Sequence, residues 1–93
     1  VDDKPMARFK LAESLEESGA PGEALEEYAR ISDDHFLMVK GLLRCGKIYE
    51  RQEDWQPAIK MYEKIVAFNV EESKFAAERI EIIKQQLMNT IVQ

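Results

Sequence analysis

Shifted against itself by 34 residues, this chain aligns with itself without a gap. Glu16 falls on Glu50, Ala24 on Ala58, Tyr28 on Tyr62 and Ile31 on Ile65. The same shift sets Phe9 on Leu43, Lys10 on Arg44, Ala12 on Gly46, Leu25 on Ile59 and Arg30 on Lys64. A fixed period of this size marks one supersecondary unit written twice, each copy too small to bury its apolar side alone.

What the unit is follows from the spacing inside it. Met6, Phe9, Ala12 and Leu15 recur every three residues, and Leu42, Cys45, Gly46 and Tyr49 crowd one side of a later segment. That is a helical period, and no two-residue alternation competes with it. Punctuation falls at Asp2-Asp3-Lys4-Pro5, Gly19-Ala20-Pro21-Gly22, Ser32-Asp33-Asp34, Glu53-Asp54 and Asn69-Val70. Asp and Asn suit N-caps, Pro a first turn and Gly the position past a C-terminus. Asn69 with Glu72 has the spacing of a capping box. The reading is five helices, roughly 4–18, 21–32, 34–52, 55–68 and 70–91. Short loops force such helices back on each other as antiparallel pairs. The chain is therefore expected to be all-α, one domain over residues 1–93.

Composition narrows the function. Hydrophobic residues make up 45% and charged residues 33%, which suits an ordered helical chain. A net charge of −5 argues against nucleic acid as a partner. No apolar run approaches the roughly 20 residues of a membrane span, so no direct membrane insertion is expected. The single cysteine, Cys45, excludes an internal disulfide and a cysteine-built zinc site. The chain opens on Val1 rather than Met, which points to a processed or excised part of a longer parent. The cytoplasm is the expected compartment; the alternative is a bacterial envelope, through an anchor outside this segment.

The segment Cys45-Gly46-Lys47-Ile48-Tyr49, then Asp54-Trp55-Gln56-Pro57-Ala58-Ile59, then Tyr62, resembles the tetratricopeptide repeat family. Residues 5–38 read as a degenerate first repeat, 39–72 as a second, and 70–91 as a C-terminal capping helix. The resemblance implies a right-handed superhelix of antiparallel helix pairs. It also gives Ala12 and Gly46, Ala24 and Ala58 the role of notches, with Tyr28, Tyr49 and Tyr62 filling the space around them. Arg8 and Leu42 stand where the family has Trp or Leu, and Phe36 and Val70 where it has Pro. The stripe Ala76, Ile80, Ile83, Leu87, Ile91 gives the last helix one apolar side. Two repeats are fewer than such arrays need, so further repeats in the parent, or another subunit, are expected to cover the first helix.

Chemistry is sparse. His35 and Cys45 are ten residues apart, which turns them roughly 80° from a shared face. Core thiol and solvated or capping imidazole are the readings. The acidic blocks Glu13, Glu16, Glu17 and Glu23, Glu26, Glu27 read as solvated faces. No phosphate loop or metal-ligand spacing occurs, and neither an enzymatic activity nor a cofactor is expected. One constellation points to binding: Lys40, Arg44, Lys47 and Arg51 form a stripe with Leu43 beside it. The family resemblance turns this stripe toward a concave groove, where an acidic peptide segment of a partner protein would lie. Lys40 and Arg44 have the spacing of chaperone carboxylate clamps, but Lys10 and Glu13 replace the asparagine of those clamps. A competing reading pairs Glu13, Glu16 and Glu17 internally with Lys47 and Arg51. Self-assembly into a homo-oligomer is the alternative function, through Met6 and Phe9 or through Met88, Ile91 and Val92.

Overall fold

The computed structural model describes residues 3–92. Asp2, at the first predicted boundary, and the side chain of Val92, named above for self-association, lie outside the described residues. The described residues form five helices and no strand: α1 (Lys4–Glu17), α2 (Pro21–Ala29), α3 (His35–Arg51), α4 (Trp55–Phe68) and α5 (Ser73–Val92). The chain is all-α.

Local chemistry sets the helix ends. Asp3 accepts from the Met6 N–H at 3.3 Å, and Asp34 from the Leu37 N–H at 3.0 Å. Both are N-caps that satisfy a donor left over by the first turn. Past the end of α1, the Gly19 N–H returns to Glu16 O at 3.2 Å and the Ala20 N–H to Leu15 O at 2.8 Å. Past the end of α3, the Glu53 N–H returns to Glu50 O and the Asp54 N–H to Tyr49 O, both at 2.9 Å. These are two Schellman closures, 34 residues apart. Gly19 takes the left-handed turn without strain at φ 86°, whereas Glu53 takes it with a side chain at φ 57°. The period in the sequence is thus a period in the backbone: α1 and α3 end, and α2 and α4 begin, 34 residues apart.

Two boundaries differ from the sequence reading by three residues, the others by one at most. Helix α2 stops at Ala29 rather than 32, because the Arg30 and Ile31 N–H groups reach back three residues to Glu27 and Tyr28. Helix α5 starts at Ser73 rather than 70. Asn69 is not an N-cap; it is the left-handed C-cap of α4 at φ 53°. Ser73 ties this turn instead, its Oγ accepting from the Val70 N–H at 2.9 Å and donating to Ile65 O at 3.0 Å.

Each helix packs on the next, and α1 also touches α3, in a slab measuring 54 × 31 × 14 Å. Two apolar clusters run through it with α3 as their shared wall. Phe9, Ala12, Ala24, Tyr28 and Ile48 belong to the first; Ala58, Tyr62, Ile65, Ala76 and Ile83 belong to the second. Of the expected repeat positions, Ala12, Ala24, Tyr28, Gly46, Ala58 and Tyr62 are buried. Tyr49 is half-buried, wedged against both clusters. Small residues opposite large ones let helices approach to interior packing density.

Burial also corrects two expectations. Phe9 is buried and so is closed to self-association, while Met6 is half-buried against the first cluster and keeps only part of its surface free. Ile91, placed in the apolar stripe of α5, is 79% exposed. Helix α5 has 20 residues against 14 in α4, so at about 1.5 Å per residue it is longer by roughly 9 Å.

Glycine inside α3 gives a first test. A Cβ at Gly41 would meet Ile31 Cδ1 and Tyr28 O at 3.5 Å, ordinary contact distances. Gly41→Ala should therefore stabilise the fold by about 0.5–1 kcal/mol, through helix propensity, in a urea titration.

Candidate functional site

The face formed by α1, α3 and α5 carries a groove of about 420 Å³. Four cations line it, Arg44, Lys47 and Arg51 from α3 and Arg79 from α5, against two carboxylates, Glu16 and Glu50. Tyr62 and Phe75 supply the remaining wall. The surplus is two positive charges, on a chain whose net charge is −5.

Glu16 is the most densely partnered group. Its Oε1 accepts from the Tyr28 hydroxyl at 2.9 Å and from Arg44 Nε and Nη2 at 3.2 and 3.1 Å. Its Oε2 accepts from Arg51 Nη2 at 2.7 Å. Burial works against the charge on Glu16, but the hydrogen bonds from Arg51, Tyr28 and Arg44 outweigh it and hold the carboxyl below its ordinary range. Burial, then the bond to Glu16, pushes the Tyr28 phenol up to about 12, so it stays a neutral donor. One period later Glu50 accepts from Arg79 Nε and Nη2, both at 2.9 Å, in a fork-to-fork pair. Tyr62 stands where Tyr28 stands in the first unit. Burial, followed by the Glu50 charge, pushes its phenol up to about 12 as well. Its hydroxyl is buried beside the Glu50–Arg79 pair and interacts with both, without closing a bond as short as that of Tyr28 to Glu16.

The basic stripe therefore divides. Arg44, Lys47 and Arg51 meet in the groove; Lys40 and Leu43 do not line it. The Lys40 ammonium lies 5.3 Å from the Phe9 ring and 5.3 Å from the Phe36 ring. Leu43 packs half-buried against the second cluster. Lys47 rests 5.6 Å over the Phe75 ring, a contact worth roughly 0.5–1 kcal/mol when exposed. Internal pairing across the units occurs, but through Glu16 with Arg44 and Arg51. Sequence reasoning missed Glu50, Tyr62, Phe75 and Arg79 as groove residues. The alignment of Glu16 with Glu50 and Tyr28 with Tyr62 was the available signal.

No family model, curated protein or solved structure matches this chain.

On the opposite face, α2 and α4 flank a trough of about 530 Å³ over α3, lined by Leu25, Met38, Leu42, Met61 and Phe68 among others. Cys45 lies in it, and burial pushes its thiol up to about 12, which keeps it un-ionised and unreactive at neutral pH. His35 sets its ring edge-on to Phe68 at 5.7 Å, while Asp34 provides the cap of α3. Among the described residues, no His, Cys, Asp and Glu group is arranged to hold a metal, and no helix is long and apolar enough to cross a membrane.

The two tyrosines separate experimentally. Tyr28→Phe removes a bonded hydroxyl and should cost about 1 kcal/mol in chemical denaturation.

Proposed function

We propose that this chain is a protein-binding module of the tetratricopeptide type, whose α1/α3/α5 groove receives an acidic segment of a partner protein. The observation that carries this reading is the groove's surplus of two positive charges on an acidic chain. The repeated backbone closures and the buried notch residues support the family resemblance. Arg44 and Arg51 are spent on Glu16, which leaves Lys47 as the cation most easily drawn to a ligand. Charge-assisted hydrogen bonds of this kind are worth about 1.5–3 kcal/mol each.

The test is a fluorescence-anisotropy titration with a peptide rich in Asp and Glu and its Asn/Gln counterpart. The acidic peptide should bind preferentially, weaken as salt rises, and lose affinity in Lys47→Glu. Equal binding of the two peptides, or binding of neither, would discard the groove as an acidic-peptide site.

A second reading, self-association through the end of α5, rests on the exposure of Met88 at 58% and Ile91 at 79%. Sedimentation across concentration should then show a dimer that Ile91→Lys dissolves; a monomer throughout rejects it.

A further inference from the structure

Pairing off the charges in the α1/α3/α5 groove locates its surplus. Arg79 holds Glu50 through Nε and Nη2, both at 2.9 Å, and the two cancel. Arg44 turns the same two atoms on Glu16 Oε1, at 3.2 and 3.1 Å, and cancels that carboxylate. Lys47 and Arg51 remain. Arg51 gives Glu16 one N–H, from Nη2 to Oε2, of the several a guanidinium carries, and its side chain is 65% exposed. Lys47 is exposed, and the contact it makes is with the Phe75 ring at 5.6 Å.

These two cations stand four residues apart on α3 and both line the groove. That spacing sets their Cβ atoms about 5–6 Å apart on one helix face, close enough for both heads to meet a single anion. A carboxylate placed there neutralises one of them. A phosphomonoester brings roughly two charges at neutral pH and enough acceptor oxygens for an ammonium and a guanidinium together. We infer that the Lys47–Arg51 pair receives a phosphorylated side chain of the partner segment. The inference rests on the acidic-segment reading above and names the residue that anchors the segment. Arg44 serves it indirectly: with Glu16 neutralised, that carboxylate repels an arriving dianion less.

The experiment titrates the full chain, in buffer without phosphate, with an acidic peptide carrying glutamate or phosphoserine at one central position, and with the Asn/Gln counterpart. It uses wild type, Lys47→Gln, Arg51→Gln and Lys60→Gln. All three substituted side chains are exposed, so the fold survives each change, and Lys60, on α4, is not part of the groove lining. The phosphoserine form should bind wild type about tenfold more tightly than the glutamate form, the effect of one added charge-assisted hydrogen bond. Lys47→Gln and Arg51→Gln should each erase most of that advantage, and Lys60→Gln none of it. If the two acidic forms bind equally and both exceed the counterpart, the phosphate site is wrong and the acidic-segment reading stands. If neither acidic form exceeds the counterpart, both readings fall. A phosphoserine advantage that survives in Lys47→Gln and Arg51→Gln lies elsewhere on the chain and overturns the inference. So does inorganic phosphate that displaces the phosphopeptide mole for mole, since the site would then hold a free anion and not a segment.

Discussion

Gly46→Val should be among the most damaging substitutions in the chain, costing about 3 kcal/mol by overpacking. A Cβ at Gly46 would stand 2.7 Å from both Cε1 and Cζ of Tyr62, closer than carbon atoms approach. That ring cannot retreat easily, because Tyr62 is fully buried between α3, α4 and α5. Valine recovers a few tenths of a kcal/mol in helix propensity over glycine and then adds two more carbons to the clash. A chain this size has roughly 5–14 kcal/mol of stability, so the loss is a large share of it. The melting temperature should fall by some 12–24 °C, at about 4–8 °C per kcal/mol. Tyr62→Leu added to Gly46→Val should restore part of this, with a coupling of about 1–3 kcal/mol in a double-mutant cycle. Additive losses would show that the glycine is not a notch for the tyrosine.

Much of this packing was legible because the signal recurs. One Gly among alanines means little, but Ala12, Ala24, Gly46 and Ala58 at a constant interval mean that two helix pairs share one design. The misreadings fall where local chemistry has two uses. Asn is a good N-cap and also tolerates left-handed backbone, and at Asn69 the second use prevails because Ser73 Oγ caps the turn instead. The apolar stripe of α5 outruns the helix it packs on, because periodicity reports a face and not a partner's length. Helix α4 is six residues the shorter, and Ile91 is exposed.

The candidate site was less legible. Charge spacing along α3 gathered four cations, but side chains of four or five rotatable bonds choose partners from other helices. Lys40 settled on Phe9 and Phe36, contributed by α1 and α3. Arg79, which completes the groove, sits in a helix that has no earlier copy to point at it. What the alignment did contain was the pairing of two glutamates and two tyrosines one period apart. Glu16, Glu50 and Tyr62 line the groove, and Tyr28 holds Glu16 in place from behind it.

Glu16→Ala should lower stability by about 2 kcal/mol at neutral pH, with most of the loss absent in acid. The substitution removes the acceptor of the buried Tyr28 hydroxyl and leaves Arg44 and Arg51 side by side without a counter-charge. Hydrogen bonds to a charged group are worth about 1.5–3 kcal/mol, and the discount comes from solvent. The Arg51 side chain is 65% exposed and rehydrates cheaply; that of Arg44 is 37% exposed. The pH dependence follows from the direction of the shift. The folded Glu16 carboxyl titrates below its unfolded value. The unfolded chain therefore binds the proton first, and the stabilisation is fully present above the unfolded pKa, ordinarily about 4.3. It drains away as pH falls through the lower folded value, where Glu16 itself becomes neutral. Urea midpoints measured from neutrality down into that range should converge for wild type and Glu16→Ala. Glu16→Gln keeps an acceptor and loses only the charge, so it should fall between the two at neutral pH. Parallel curves that never approach one another would mean that the arginines and Tyr28 draw no stability from the ionised carboxylate.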